Sequence, residues 1–190
     1  NEINCVRKHL SAIKGGKLAV HCHPATLHTF AISDVMGDDP SVIASGPTVG
    51  DPTTSSDAQN ILEKYNIPNT VKQWLNEPSS ETVKPGDPRL EKSNYKIIFS
   101  ALDMLALIEE KQKINGFDCI NLGEQCGEAR ELAKFHAELI KSKFISKPAV
   151  FISGGETTVT VNGKGRGGRN CEYFLALAIA LDGHENIYAL

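Results

Sequence analysis

Apolar and polar positions along the chain change rhythm near its middle. Val6 to Ile13 carries apolar residues at helical spacing and stops at Gly15-Gly16, a C-cap signal. Lys17 to Cys22 and Thr29 to Ser33 read as strands, the second running into an acidic turn, Asp34 to Pro40. Ser45 to Asp57 is dense in Gly, Pro, Ser and Thr and reads as a loop. Ser56 or Asp57 can cap the next helix, with Ala58, Ile61, Leu62 and Tyr65 at helical spacing and Pro68 as its stop; Trp74 and Leu75 lie on a further short helix. Asn76 to Arg89 is rich in Pro and Ser and reads as a linker.

Beyond the linker, strand and helix alternate. Lys96 to Phe99, Phe117 to Leu122 and Ala149 to Ser153 read as strands. Ala101 to Lys113 places Leu102, Leu105, Ala106 and Ile108 inward, and Glu128 to Phe144 places Leu132, Ala133, His136 and Ile140 on one face. Thr157 to Val161 reads as a further strand, a hairpin partner or a short crossing, Asn170 to Leu181 as a helix, and Asn186 to Leu190 as a final strand. Such alternation predicts an α/β fold with a mostly parallel sheet, whose ligands sit beyond the carboxyl ends of the strands.

With 190 residues, 41% apolar and 23% charged, the chain can bury a core. A formal charge of −3 without a basic stripe excludes a nucleic-acid footprint. No apolar run spans a membrane, and the five cysteines form neither a CxxC pair nor an even disulfide framework, so a cytoplasmic setting is expected. The missing initiator Met and the unturned NIYAL ending read as a chain cut at both ends.

Two loops fall at strand ends. In ISDVMGDDPSVIASGPT, Asp34, Asp38 and Asp39 crowd one turn, and three such carboxylates repel unless a cation shares the space. Magnesium suits carboxylates plus phosphate oxygens, and an Asp here can also take a hydroxyl proton. The competing reading is a solvated turn in which Asp38 or Asp39 caps the helix begun by Pro40. Ser45 and Gly46 in SGPT can present backbone N–H groups to phosphate, or form an ordinary Pro turn.

In SGGETTVTVNGKGRGGRN, Gly154 and Gly155 follow an apolar strand, and Gly163, Gly165, Gly167 and Gly168 alternate with Lys164, Arg166 and Arg169 ahead of a helix. Bared amides, guanidinium forks and a helix N-terminus together read as an anion site. It is not a Walker A loop, and GKGRGG is read as lacking the G-x-G-x-x-G spacing of a dinucleotide-binding turn. Glu156 can hold a metal or a substrate hydroxyl, or serve as a polar turn residue. Lys14 reads as a phosphate partner or as an ordinary C-terminal helix lysine. His21 and His23 read as ordinary sheet residues, and Cys171 as packing.

VRKHLSAIKGGKLA, ISDVMGDDPSVIASGPTVGDPTT, KPGD, GEAR and ISGGETTVTVNGKGRGGRN, in that order, resemble the class II glycerate kinases, the glycerate 2-kinase or MOFRL family. The resemblance covers essentially the whole chain. It implies residues 1–90 as the end of an amino-terminal Rossmann-like domain with its connecting loop, and residues 91–190 as the amino-terminal part of a MOFRL α/β domain. It implies ATP, magnesium and D-glycerate in a cleft between the two, giving 2-phosphoglycerate and ADP, and it is compatible with a homodimer. Arg166 and Arg169 would take phosphates or the glycerate carboxylate; Gly154, Gly155, Lys164, Gly165, Gly167, Ser45 and Gly46 would line the nucleotide; Asp38 and Asp39 would hold magnesium; Asp34 and Glu156 would stand at the reacting group. An early Lys of the first domain and a DTDG-type loop are expected outside these residues. The family pattern has Pro where this chain has Met36 and Gln where it has Cys171. Some members carry the name hydroxypyruvate reductase; a nicotinamide-dependent reductase is one rival, and a non-catalytic nucleotide- or sugar-phosphate-sensing module on the same fold is the other.

Overall fold

The computed structural model describes residues 2–142 and 147–190. The chain forms two compact units, residues 1–100 and 101–190.

In the first unit, α1 (Glu2–Leu10), α3 (Ser55–Glu63) and α4 (Asn69–Leu75) pack around Cys5, Ala58, Leu62 and Leu75. The N-cap of α3 is Thr54, not Ser56 or Asp57: the Thr54 hydroxyl accepts from the Asp57 amide, and the Asp57 carboxylate accepts from the Thr54 amide. That reciprocal box satisfies two of the donors a helix start leaves open.

Lys17–Cys22 is the short helix α2, not the expected strand. Gly16 turns the chain at φ 79°, and the Leu18 and Ala19 amides both donate to the Pro47 carbonyl at 3.1 and 3.4 Å. A contact distant in sequence therefore overrides an alternating pattern. His21 and His23 fall at the end of this helix, not along a sheet.

β1 (Leu27–Ile32) pairs in parallel with β2 (Ser93–Phe99), Leu27 opposite Ser93. The first unit thus extends past residue 90, because its second strand comes from beyond the Pro-rich segment. That segment is packed and is no loose linker. Ser80, Thr82 and Val83 are buried, and the Val83 amide donates to the Gly15 carbonyl. A Cβ on Gly15 would lie 2.6 Å from the Thr82 methyl, and one on Gly16 2.8 Å from the Val83 Cβ, so the glycine pair is what lets the segment lie down there.

Beneath this packing sits a buried ion pair. Lys8 Nζ lies 2.7 Å from Asp51 Oδ1, with the two side chains 6% and 1% exposed. Asp51 also accepts from the Thr53 amide and hydroxyl. Burial, the largest influence on Asp51, pushes its carboxyl up, but the bonds from Lys8 and Thr53 outweigh it and hold the carboxyl below its ordinary value.

In the second unit, β3 (Asp118–Glu128) and β4 (Ala149–Thr158) run parallel, Asp118 opposite Ala149 and Glu128 opposite Thr158, with an irregularity between Asn121 and Glu124. Residues 149–158 form one strand, so Thr157 belongs to it and starts no hairpin. α5 (Ala101–Ile114) sets Leu105 against Gly154. α6 (Ala129–Ser142) and α7 (Arg169–Leu181) meet through Ala133, Ala137 and Leu177. Small side chains there bring the helix axes close. The expected end of the α6 helix at Phe144 lies outside the described residues. Residues 186–190 form no strand. Leu102 is exposed where burial was expected.

His136 is buried in the α6–α7 seam, its Nδ1 2.6 Å from the Tyr173 hydroxyl, while its Nε2 has no partner among the described residues. Burial lowers its pKa.

Two outcomes follow. Asp51→Ala strands a buried ammonium and costs about 3–5 kcal/mol, read from urea unfolding. Because His136 is held neutral, the unfolded chain takes up its proton first on acidification. Stability of the second unit should therefore fall as pH drops below the ordinary histidine value of 6.5 and level off once the folded His136 protonates; His136→Leu should flatten that slope in thermal melts.

Candidate functional site

Each of the two loops singled out in the sequence lies within one unit. In the first unit, β1 delivers the buried Ser33 and then the exposed Asp34. The Asp38 amide donates to the Val35 carbonyl, and Asp38 itself sits at φ 53°. The Asp39 carboxylate accepts from the Ser41 amide at 2.8 Å. Asp39 is thus the cap of the following turn, the role that the competing reading gave it. Among the described residues, no three His, Cys, Asp or Glu side chains converge as a cation cage. Magnesium keeps several waters and needs only one or two carboxylates beside phosphate oxygens, so this turn suits a shared, phosphate-dependent site and not a protein-only one.

Ala44, Ser45 and Gly46 take left-handed φ values of 51, 63 and 58°. This run closes a tight knot. The Ser45 and Gly46 amides donate to the Val42 and Ile43 carbonyls at 2.8 and 2.9 Å, while the Ser45 and Gly46 carbonyls accept from the Gly15 and Gly16 amides. The expected phosphate cradle is therefore spent on internal bonds at both amides, and SGPT holds α2 in place. Lys14 Nζ bonds the Ala44 carbonyl in the same knot.

In the second unit, the Gly-rich loop joins β4 to α7. Gly155 takes φ 107°, and a Cβ there would sit 2.0 Å from the Gln125 carbonyl oxygen, so only glycine lets β4 pass β3 at this point. Glu156 follows, in register with Cys126. Its carboxylate pairs with the guanidinium of Arg169, the first residue of α7. The other arm of the loop is pinned where the Thr160 amide donates to Glu128 at 3.0 Å. Lys164, Gly165, Arg166 and Gly167 are all exposed on the loop between. Cys171 is also exposed, not packed as expected. Arg130 of the GEAR motif is engaged by Glu172 at 2.5 Å.

Gly163, Gly165 and Gly168 do have G-x-G-x-x-G spacing, contrary to the reading of the sequence. In a dinucleotide turn the first glycine follows the strand directly. Here β4 ends at Thr158, and residues 159–162 intervene.

Sequence reasoning missed a polar cleft of about 420 Å³ in the first unit, bordered by Lys17, His21, Glu81, Lys84, Asp87 and Arg89. Lys17 Nζ bonds the carbonyls of Ser11, Ser79 and Ser80, and burial lowers its pKa. Lys84 pairs with Glu81 and Arg89 with Asp87, whose carboxyl is held at about 2 by the Arg89 bonds. The KPGD motif was legible, but the packing that brings Lys17 and Glu81 to it was not.

The glycine- and arginine-rich strand-to-helix loop of this α/β protein, with its parallel strand pairs, has the features of a small-anion site. Residues 1–77 match a domain of unknown function, DUF4147, and residues 149–190 match the MOFRL family. A Thermotoga maritima protein named D-glycerate 2-kinase is 40% identical over 193 residues, covering 98% of this chain and 45% of its own length. An Agrobacterium vitis protein with the provisional name hydroxypyruvate reductase is 43% identical over 200 residues, covering all of this chain and 45% of its own length. The crystal structure of glycerate kinase from Thermotoga maritima superposes with a TM-score of 0.75 at 40% identity, covering 97% of this chain and 45% of that one. Along nearly all of its length the chain is similar to glycerate kinases, and it carries a match to the MOFRL family. It spans about half the length of the curated relatives it matches.

Replacing Gly155 with Ala tests the loop base. The side chain cannot clear the Gln125 carbonyl, and left-handed strain of about 1–3 kcal/mol adds to the clash. The expected result is loss of the β3–β4 pairing around Gly155, seen as accelerated amide exchange over residues 124–128.

Proposed function

We propose that this chain forms part of an enzyme that transfers a phosphoryl group from ATP to the 2-hydroxyl of D-glycerate, giving 2-phosphoglycerate and ADP. The observation that carries the proposal is the exposed loop between Glu156 and Arg169, where bared backbone and guanidinium groups meet at the start of α7, in a chain 40% identical to a protein named D-glycerate 2-kinase.

Phosphoryl transfer asks a protein for positioning and charge neutralisation more than for covalent chemistry. Arg169 and Arg166 bind phosphate oxygens or the glycerate carboxylate, for which their forked donors are matched. Gly154, Gly165 and Gly167 allow close backbone approach, and Lys164 adds a mobile positive charge. Asp34, exposed at the end of β1, orients the glycerate hydroxyl and accepts its proton. Asp38 and Asp39 would share a magnesium ion with the nucleotide, and that ion would neutralise charge on the phosphates. Residues 1–90 are assigned in this reading to the end of a Rossmann-like domain and 91–190 to the start of a MOFRL domain. A homodimer in the cytoplasm belongs to the same reading.

The rival is a hydroxypyruvate reductase using a nicotinamide cofactor, favoured by the name of the Agrobacterium vitis relative and by the spacing of Gly163, Gly165 and Gly168. The interrupted strand-to-loop junction speaks against it.

A coupled ADP-release assay on the full-length protein with D-glycerate, run beside NADH oxidation with hydroxypyruvate, decides between them. ADP release is expected; NADH oxidation without it would reverse the assignment, and ATP binding without turnover would make the protein a nucleotide-binding module. In the same assay Arg169→Ala should lower kcat/KM by about 10²–10³-fold, the usual cost of one charge-stabilising donor, with the melting temperature nearly unchanged.

A further inference from the structure

The Gly-rich loop is closed at its base by a charge pair. Glu156 and Arg169 are thirteen positions apart in sequence, yet their carboxylate and guanidinium are in direct contact. Both backbone anchors of this contact are fixed. Gly155 forces β4 against Gln125, and the register opposite Cys126 sets where Glu156 emerges. Arg169 opens α7 directly after its N-cap, Gly168. The pair itself is solvent-accessible, Arg169 at 50% and Glu156 at 68% exposure, so it is cheap to open. The guanidinium proposed above to take phosphate is thus occupied by a carboxylate of the same chain.

We infer that Glu156 is a positioning residue that acts through Arg169: its carboxylate holds the guanidinium at the base of the loop while the site is empty, and an incoming phosphate takes Arg169 by displacing it. This rests on the reading of Arg169 as an anion-binding group. It gives Glu156 a role distinct from metal ligand or partner of the reacting hydroxyl. The carboxylate keeps the fork near its working place and stops the loop's cations from scattering, at the expense of competing with the ligand. No covalent step is involved, only exchange of one anion for another on the guanidinium.

The competition sets the size of the effect. Exposed ion pairs span about 1.4- to 5-fold in equilibrium terms. Isothermal titration of the full-length protein with ADP should therefore show Glu156→Gln binding about 1.4- to 5-fold tighter than the parent, with a lower KM for ATP. Glu156→Asp, which keeps the charge on a shorter arm, should fall between the two. In an Arg169→Ala background, Glu156→Gln should leave ADP affinity unchanged, since its influence passes through the missing guanidinium. A fall in kcat of about 10²-fold with unchanged ADP affinity would put Glu156 at the reacting atoms and overturn the inference. Weaker ADP binding with a lowered melting temperature would make the pair a structural clasp, overturning it as well. If Arg169→Ala alone fails to weaken ADP binding, the anion-site reading itself falls. If Arg169→Ala weakens binding and Glu156→Gln changes nothing, only the role of Glu156 is lost.

Discussion

Asp51 cannot give its charge to water. It is 1% exposed, and its oxygens are answered by the ammonium of Lys8 and by the amide and hydroxyl of Thr53. Its own amide donates to the Val83 carbonyl at 2.8 Å. Lys8 comes from α1, Thr53 from the loop before α3, and Val83 from the Pro-rich segment, so the carboxylate and amide of this one residue together fix three parts of the first unit against one another. Partial satisfaction would be worse than an apolar residue at the site, because a buried charge left half-paired is costly. The glycines at 15 and 16 serve the same end, since without them the segment bearing Val83 could not come close enough.

The second unit depends on a steric constraint in place of a charge. Gly155 admits β4 where no side chain fits, and the strand then runs on as far as Thr158. That extension carries Glu156 to a point from which it reaches the first residue of α7. α7 is held in turn by the alanine-lined seam with α6 and by the His136–Tyr173 bond. The position of Arg169 is therefore inherited from backbone packing on one side and helix packing on the other. An arginine on a free loop would have to lose far more conformational entropy to bind an anion.

Much of this was legible in the sequence, and the failures have physical causes. Periodicity gave α3, α5, α6 and α7 and the strands around Phe30, Ile97, Ile120 and Phe151, because each carries its own repeat or run of apolar positions. KLAVHC was read as a strand since alternation is visible in sequence, whereas the Pro47 carbonyl that caps it as a helix is not. The segment from Asn76 to Arg89 was read as a linker from its prolines; its buried Ser80 and Thr82 show that polar side chains with internal partners can pass for surface. In the candidate site, the glycine and arginine pattern was plain, as was the acidic turn. What could not be read was the commitment of groups already bonded: the Ser45 and Gly46 amides, the Asp39 carboxylate and the fork of Arg169 all have partners that only folding supplies.

Lys17 sends its ammonium toward three main-chain oxygens, those of Ser11, Ser79 and Ser80. A tetrahedral ammonium has three donors that rotate to meet three separate oxygens, whereas the donors of a guanidinium are fixed in one plane. The position therefore discriminates between cations by their shape, and keeping the sign of the charge would not keep the junction. It is a lysine for the reason that a three-legged stand cannot be replaced by a fork.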